Sequence, residues 1–361
     1  MEKLLLKLCV LVLLHLLQRT DSHYKVDYLL GLPGRLPFHL EIRYVGIGKD
    51  EEVQLFYYFL QSESNPITDP LLIWLSGGPD CSFVIAIVNE IVKKFSCPGP
   101  LRFVEQVYNG SMPSFVLNPH AWTKIASVIF LDQPVNTGFS YATNSAAYKY
   151  TNVQACEYVY EFLRKWLSDH PQFISNPFYI SGNSFAGMIV PVIAQYISNG
   201  NAAGKEPLIN LQGYLLGNPA AFLGEFNYRI PFSLGMGLIP DELYKSLEKN
   251  YYPHNYTITV HNVIPYHANL SIKGYRSLIY SGDHDLMVPF QSTQVWIKSL
   301  NYSIEDDWRP WNLHNQVAGY TRSYYNKMTY ATVKGGGHTA CTDKPEECFV
   351  MFKRWISHDS L

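Results

Sequence analysis

The chain has 361 residues, of which 47% are hydrophobic and 16% are charged, and its formal net charge is −2. This apolar composition excludes an intrinsically disordered chain, and the length suits one large α/β unit. The nearly balanced charge gives no indication of binding to nucleic acid or to an anionic membrane surface.

The N-terminus has the features of a signal peptide, residues 1–22. An apolar run, Leu4–Leu17, follows Lys3, and the segment Gln18–Ser22 is polar. This run has the length of a signal-peptide core and is short for a membrane span, although a short membrane anchor is the alternative. We therefore expect a secreted mature domain, residues 23–361, that leaves the membrane once the signal is removed.

Four Asn-x-Ser/Thr sequons favour N-glycosylation on this secretory route. They lie at Asn109, Asn255, Asn269 and Asn301. Removal of the signal would also remove Cys9, leaving Cys81, Cys97, Cys156, Cys341 and Cys348. Because their number is odd, at least one thiol is unpaired or pairs outside the chain. No CxxC or HExxH spacing occurs, and we expect neither a metal site nor another cofactor.

The predicted strands are short apolar runs that end at turn signals. Two segments rich in aromatic and β-branched residues, Phe38–Val45 and Val53–Leu60, are predicted to form an antiparallel pair. Later runs bounded by Gly or Pro suit strands that are buried on both faces of a mostly parallel sheet. These runs are Leu71–Leu75, Ser127–Leu131, Phe178–Ser181, Leu211–Leu216, Ser277–Tyr280 and Met328–Val333.

Segments with helical periodicity separate several of these strands, which predicts an α/β fold with a right-handed wound sheet. They are Val153–Leu167, Phe185–Ile197, Val288–Leu300 and Glu346–Ile356. Pro191 is expected to strain the second of them. Ala221–Asn250 is also helical and amphipathic, and we predict that residues 221–265 form an inserted lid.

The segment Gly182–Gly187 contains the pattern G-x-S-x-G around Ser184. It follows a predicted strand and opens a predicted helix, which is the setting of a nucleophile elbow in the α/β-hydrolase fold. An ordinary glycine-rich turn is the alternative. A serine hydroxyl needs a base to remove its proton, and this fold places the acid and then the histidine after the serine in the chain.

Candidates for both partners occur in that order. Asp285 follows the strand Ser277–Tyr280 and is the preferred acid, with Asp283 as the alternative. His338 follows three glycines on a loop after the last predicted strand, a poor position for core packing, and a surface histidine is the alternative.

An oxyanion hole is the third part of such a site, because backbone N–H groups must meet the charge that develops on the substrate oxygen. Gly78 follows an early strand and would supply one N–H, and Phe185, just after the nucleophile, would supply the other. Together these residues predict acyl transfer through a covalent acyl-serine.

From about Lys25 to Leu361 the chain resembles the serine carboxypeptidase family. The segments that carry the resemblance are Trp74–Ser82, Leu131–Tyr141, Gly182–Gly187, Gly213–Pro219, Tyr280–Pro289 and Gly335–Thr339. It implies secretion or vacuolar delivery, glycosylation, and a triad of Ser184, Asp285 and His338. It also implies either release of C-terminal residues from peptides or transfer of an acyl group from a glucose ester to an acceptor.

Two substrate-binding positions favour the acyltransferase branch of that family. Family peptidases carry Asn before Gly-Gly-Pro and Glu before the nucleophile, and both bind the terminal carboxylate of the substrate. Here these positions are Ser76 and Asn183. Three further segments also resemble the sequences of acyltransferase-like members most: Gly213–Pro219, Gly274–Pro289 and Asp307–Trp311.

Two departures from the family pattern raise the alternative of a catalytically impaired secreted remnant. Asp80 replaces a glycine and would place a carboxylate beside the oxyanion hole, where it opposes developing negative charge. Tens of residues are missing between about Asn250 and Tyr256, where members carry much of the lid and the usual partner of Cys81. A lipase or esterase on the same fold is a more distant alternative.

Overall fold

The computed structural model describes residues 24–78, 99–104, 114–148, 150–222, 228–247 and 259–361. Its strands are β1 (Tyr24–Lys25), β2 (Leu40–Ile47), β3 (Val53–Leu60), β4 (Leu71–Leu75), β5 (Leu101–Phe103), β6 (Phe115–Leu117), β7 (Ser127–Leu131), β8 (Tyr141–Ala142), β9 (Phe178–Asn183), β10 (Leu211–Gly217), β11 (Arg276–Gly282), β12 (Ile304–Leu313), β13 (Gln316–Tyr324) and β14 (Met328–Val333). Its α-helices are α1 (Asn152–Asp169), α2 (Val190–Ala202), α3 (Arg229–Gly235), α4 (Asp241–Leu247), α5 (Ile264–Ile272), α6 (Phe290–Ser299), α7 (Ala340–Asp343) and α8 (Pro345–Ile356).

A twelve-stranded mixed sheet forms the centre of the described part of the molecule. Its six middle strands run parallel in the spatial order β7-β4-β9-β10-β11-β14. Antiparallel strands extend it at both edges, with β1, β2 and β3 on one side and β13 and β12 on the other. The predicted fold class, a mostly parallel sheet with flanking helices, is confirmed.

Two hydrophobic clusters cover the two faces of this sheet. Helices α1, α2 and α6 contribute Trp166, Ile193 and Trp296 to one cluster. Helix α8 contributes Phe352 to the other, where its ring stacks on Trp122 with centroids 4.1 Å apart. Because both faces are covered, every residue of β4 and of β7 is buried, which explains why both sequences are apolar apart from Ser127.

The predicted strands Val53–Leu60, Leu71–Leu75, Ser127–Leu131 and Met328–Val333 are confirmed with the same bounds. The prediction that Pro191 strains this helix is wrong. A 3₁₀ turn over Ser184–Met188 precedes α2, which begins at Val190. Pro191 therefore lies in the first turn of α2, where a helix has no acceptor for the missing N–H.

The edge hairpin β12–β13 was not predicted from the sequence. Its strands are joined through His314 and Asn315, both with positive φ, 48° and 58°. Strand β12 contains Pro310 and three successive acidic residues, a composition that is more typical of a loop. An edge strand accepts proline and charge because one row of its backbone groups faces solvent.

The two ends of the predicted lid segment, residues 221–265, are joined by two backbone contacts. Phe222 and Asn262 form an isolated antiparallel bridge, and the Val263 N–H donates to the Ala221 carbonyl at 2.9 Å. Within the described part of the segment the predicted helix over 221–250 is replaced by two short helices, α3 and α4, and α5 begins near its end. The shortening near residues 250–256 lies outside the described residues.

The predicted signal peptide, Asp80, Cys81, Cys97, Asn109 and Asn255 also lie outside the described residues. Asn269 and Asn301 are exposed. Cys341 and Cys348 form a disulfide, while Cys156 is a buried thiol. Among the helices described, none combines the length and apolarity needed to cross a bilayer.

Candidate active site

Three of the predicted site residues lie at the ends of parallel strands. Ser184 directly follows β9, Asp285 lies three residues after β11, and His338 lies five residues after β14. Because the carboxyl ends of parallel strands meet at one edge of the sheet, residues far apart in sequence come together there.

The turn at Ser184 has a strained backbone. Ser184 has φ = 58°, in the left-handed region that side chains other than glycine seldom adopt. The strand before it must pack closely, since a β-carbon on Gly182 would lie 2.6 Å from both the Ala186 Cβ and the Leu75 carbonyl oxygen. Glycine at 182 therefore allows the sharp strand-to-helix turn that presents the hydroxyl.

One imidazole connects the three side chains. His338 Nε2 lies 2.8 Å from Ser184 Oγ, and His338 Nδ1 lies 2.8 Å from Asp285 Oδ2. The proton of this pair belongs on Nδ1, which donates to the carboxylate, so Nε2 can accept the serine proton. Asp283, the alternative acid, instead accepts the Gly335 N–H at 2.6 Å.

The carboxylate of Asp285 is fully shielded from solvent, whereas the His338 side chain is 28% exposed. Two further donors contact this carboxylate. The Met287 N–H donates to Oδ1 at 2.7 Å, and the Asn218 side-chain amide donates to Oδ2 at 2.7 Å. Three hydrogen bonds therefore compensate a buried negative charge that would otherwise be costly.

The histidine loop is anchored on its other side by α7. The Gly337 N–H, one residue before His338, donates to Asp343 Oδ2 at 2.8 Å. The disulfide between Cys341 and Cys348 then links α7 to α8. The Gly337–Asp343 hydrogen bond and the disulfide therefore restrain the loop that carries His338.

The loop after β4 packs against the nucleophile turn. A β-carbon on Gly77 would lie 2.6 Å from the Ser184 Cβ and 2.9 Å from the Phe185 nitrogen. Gly78 follows with φ = 121°, a backbone conformation that favours glycine. The loop that carries Gly78 thus packs, through Gly77, against the turn that carries Phe185. Ser76 and Asn183 lie at the ends of β4 and β9 beside this contact, and each is partly exposed.

Arg229 connects the lid segment to the acid. Its Nε donates to the Met287 carbonyl at 3.0 Å, and the N–H of the same Met287 residue donates to Asp285. Burial lowers the pKa of Arg229, and the Asp285 carboxylate partly opposes that shift.

Asn218 and Arg229 lie in no motif that predicted a site role for them. Asn218 directly follows β10, whose neighbours in the sheet carry Ser184 and the loop of Asp285, so its place at a strand end was a usable signal. Arg229 gave no such signal, because it lies on an inserted helix whose position the sequence does not define.

Comparison with known proteins assigns the family. The model of the serine carboxypeptidase family, peptidase S10, matches residues 31–259 and 251–358. The two matched stretches overlap at residues 251–259, beside the shortening expected between about Asn250 and Tyr256.

Relatives in Arabidopsis thaliana match over nearly their whole length. Serine carboxypeptidase-like 12 is 46% identical, covering 98% of this chain and 99% of the relative, and serine carboxypeptidase-like 10 is 46% identical, covering 99% of each. The first alignment extends over 437 positions, more than the 361 residues of this chain, so that relative carries residues with no counterpart here.

A solved structure shares the fold at low identity. The crystal structure of a prohormone-processing carboxypeptidase from Saccharomyces cerevisiae has a TM-score of 0.76 and 16% identity, covering 93% of this chain and 96% of the other. Identity this low speaks for the fold alone. The family match and the plant relatives lead to the conclusion that this chain belongs to the serine carboxypeptidase family.

Proposed function

We propose that this protein is an acyl-serine enzyme in which Ser184 is the nucleophile, His338 the general base and Asp285 the acid that orients it. The single observation that supports this most is the position of the His338 ring, 2.8 Å from Ser184 Oγ on one side and 2.8 Å from Asp285 on the other. A serine hydroxyl hydrogen-bonded to an oriented imidazole is the arrangement that activates oxygen for attack on a carbonyl.

The proposed reaction has two halves. Ser184 Oγ attacks the carbonyl carbon while His338 Nε2 takes its proton, and the oxygen that becomes negative is held by the N–H groups of Gly78 and Phe185. The imidazolium then protonates the leaving group as its bond to carbon breaks, which leaves an acyl-serine. In the second half, His338 deprotonates water or an alcohol acceptor as it attacks the acyl-serine ester. The imidazolium then returns this proton to Ser184 Oγ as the acyl bond breaks, which releases the acid or the new ester.

For the acyl donor we propose a glucose ester in preference to a peptide. Ser76 and Asn183 occupy the positions where family peptidases carry the Asn and Glu that bind a terminal carboxylate. Asn183 can donate a hydrogen bond, but it cannot act as the protonated acid of a carboxyl–carboxylate pair. Release of C-terminal residues is the second candidate activity, and the family match favours it.

A fluorophosphonate probe tests the nucleophile directly, because it reacts with an activated serine without regard to the natural acyl group. We expect secreted wild-type protein and Ser168→Ala to be labelled and Ser184→Ala to remain unlabelled. Ser168 is an exposed serine on α1 and serves as the matched control. Labelling of Ser184→Ala at the wild-type rate would contradict the assignment.

The acyl donor is tested by product analysis of untreated protein from a preparation that the probe has been shown to label. It is incubated in parallel with a cinnamoyl glucose ester plus an alcohol acceptor and with an N-blocked dipeptide. Formation of the transferred ester without release of the C-terminal amino acid supports acyl transfer. Amino acid release alone would assign a carboxypeptidase.

The alternative is a catalytically impaired member, because of Asp80 and the shortened lid segment. If the carboxylate at position 80 suppresses catalysis, Asp80→Gly should increase the labelling rate, since less negative charge would oppose the developing oxyanion. Folded wild-type protein that no probe labels would support the remnant and refute the enzyme.

For the route of the protein we propose cleavage of residues 1–22 and secretion or vacuolar delivery of a single α/β-hydrolase domain, residues 23–361. N-terminal sequencing of protein recovered from the secretory pathway tests this. A mature protein beginning near His23 is the expected result, and retention of Met1 in a membrane fraction would instead indicate an anchor.

A further inference from the structure

Asn218 lies between the parts of the proposed catalytic relay. In the sheet, β9, β10, β11 and β14 are consecutive neighbours. Ser184 follows the first, Asn218 the second, Asp285 the third and His338 the fourth. Four adjacent strand ends therefore each contribute one residue to the same row.

The backbone of Asn218 is held in an unusual conformation. Its φ is 47°, its N–H donates to the Tyr280 carbonyl at 2.7 Å, and only 1% of the residue is exposed. Asparagine is one of the few residues that tolerate this left-handed backbone. The fixed backbone directs the side chain at the acid on the neighbouring strand.

The Asn218 amide makes two contacts that belong to different loops. Nδ2 donates to Asp285 Oδ2 at 2.7 Å and lies 3.4 Å from the Gly337 carbonyl. Asp285 Oδ2 is the same oxygen that accepts from His338 Nδ1. One amide group thus touches both the carboxylate and the residue that precedes the histidine.

We propose that Asn218 is a positioning residue of the catalytic relay: its amide fixes the rotamer of Asp285 and the spacing between the acid loop and the histidine loop. This inference rests on the proposed function. An amide is suited to the task because it donates without carrying charge, so it compensates the carboxylate while leaving the negative charge available to His338. A truncated side chain would leave Asp285 Oδ2 with one donor fewer in a site closed to water.

Other charged groups surround the amide without replacing it. Asp285 contacts the amide directly, and His338 shares the Asp285 oxygen that the amide contacts. Asp343 acts on the histidine loop through the Gly337 N–H, and Arg229 acts on the acid loop through Met287.

Two other hydrogen bonds join the acid and histidine loops, from the His284 N–H to the Gly336 carbonyl at 2.9 Å and from the Gly335 N–H to Asp283 at 2.6 Å. The Asn218 amide adds the contact that reaches both Asp285 and the Gly337 carbonyl.

The decisive variant is Asn218→Asp, which preserves the size and shape of the side chain. At low pH the introduced carboxyl group is protonated and can donate its O–H to Asp285, as the amide does. As pH rises it loses that proton, and two carboxylates then face each other. We expect the ratio of variant to wild-type fluorophosphonate labelling rates to fall at least tenfold between pH 5 and pH 8. A tenfold decrease is on the order of the effect of repulsion between two neighbouring carboxylates.

Asn176→Asp is the matched control, because Asn176 is also buried and its amide also makes two hydrogen bonds, here to the backbone carbonyls of Pro66 and Asp69 rather than to a carboxylate. Its ratio to wild type should not change with pH. A purely structural role for Asn218 would likewise give a constant ratio, and that result would overturn the proposal.

A second measurement does not depend on catalysis. The Nδ1 proton of His338 donates to a carboxylate and should give a far-downfield proton NMR resonance that is lost in His338→Gln. We expect Asn218→Ala to shift or broaden this resonance and Asn176→Ala to leave it unchanged. An unchanged resonance in Asn218→Ala would refute the positioning role. If no probe labels the wild type, the proposed enzyme activity fails while the resonance still decides the role of Asn218.

Discussion

Gly77 lies directly against Ser184, so that a β-carbon at position 77 would meet the Ser184 Cβ at 2.6 Å and the Asn183 carbonyl oxygen at 2.7 Å. Neither atom is the end of a flexible side chain, and both belong to a turn whose backbone is already strained at Ser184. The loop after β4 therefore approaches the nucleophile as closely as its atoms allow, and any larger residue must separate the two.

We predict that Gly77→Ala slows fluorophosphonate labelling about 100-fold, because moving the loop displaces one proposed oxyanion donor. The measurement is the labelling rate of protein whose folding is checked by circular dichroism. Gly235→Ala is the control, since a β-carbon there would meet no atom within 4 Å. Equal rates for Gly77→Ala and wild type would show that the loop yields and that Gly78 is not held by this contact.

Arg229 should matter for the acid although it lies on the lid segment. Its hydrogen bond to the Met287 carbonyl holds the residue whose own N–H donates to Asp285. We predict that Arg229→Gln slows labelling about tenfold, the order expected for one lost hydrogen bond from a charged group. Arg322→Gln, on β13 and paired with Asp307, controls for loss of an arginine elsewhere. If Arg229→Gln were labelled at the wild-type rate, the loop that carries Asp285 would keep its position without the hydrogen bond from Arg229.

The buried His267 should make the fold sensitive to acid. It accepts the Tyr214 hydroxyl at Nδ1 over 2.7 Å and stacks on Trp296, and burial lowers its pKa from 6.5 to about 3. Below pH 6.5 the unfolded chain binds a proton at this residue that the folded chain does not, so stability falls as pH decreases from 6.5 towards 3.

Urea unfolding of wild type between pH 6.5 and pH 4 measures this effect. His267 should account for a loss of about 1.4 kcal/mol in unfolding free energy per pH unit. His267→Gln removes the titrating group, and its stability should decline less steeply with acid even if it is lower throughout. The exposed His261, changed to Gln, is the control. Identical slopes for wild type and His267→Gln would show that the histidine is already protonated in the fold.

Glycosylation should occur at the two described sequons, since Asn269 lies exposed on α5 and Asn301 lies exposed in the turn before β12. We predict that Asn269→Gln and Asn301→Gln each remove one glycan, and that the double variant loses two. Gel mobility before and after glycosidase treatment measures this. Asn315→Gln, at an exposed asparagine outside any sequon, should not change the pattern. No shift for either variant would exclude glycans at these positions.

The sequence predicts most of the sheet because buried parallel strands have a strong local signature. The run Leu71–Leu75 is apolar throughout and ends at glycines, and the structure has a strand with the same bounds. The geometry that joins Ser184 to His338, 154 residues away, follows from the order of motifs in the chain. In these cases a local pattern and the topology of the fold give the same answer.

Elements at the edges were harder to predict for physical reasons. Strand β12 contains Pro310 and acidic residues because its outer row of backbone groups needs no partner, and this composition resembles a loop. The contact of Asn218 with Asp285 depends on a positive φ that sequence patterns do not reveal. Arg229 reaches the acid loop from an insertion, so its position depends on tertiary packing alone.

The backbone bridge between Phe222 and Asn262 has an evolutionary consequence. It brings the two ends of the lid segment together independently of what lies between them, and the Ala221–Val263 hydrogen bond repeats the closure one residue further in each direction. Residues can therefore be gained or lost between Phe222 and Asn262 while β10 and α5 keep their places. A lineage could change this segment by one insertion or deletion, and selection could then act on the changed surface without first having to rescue the fold.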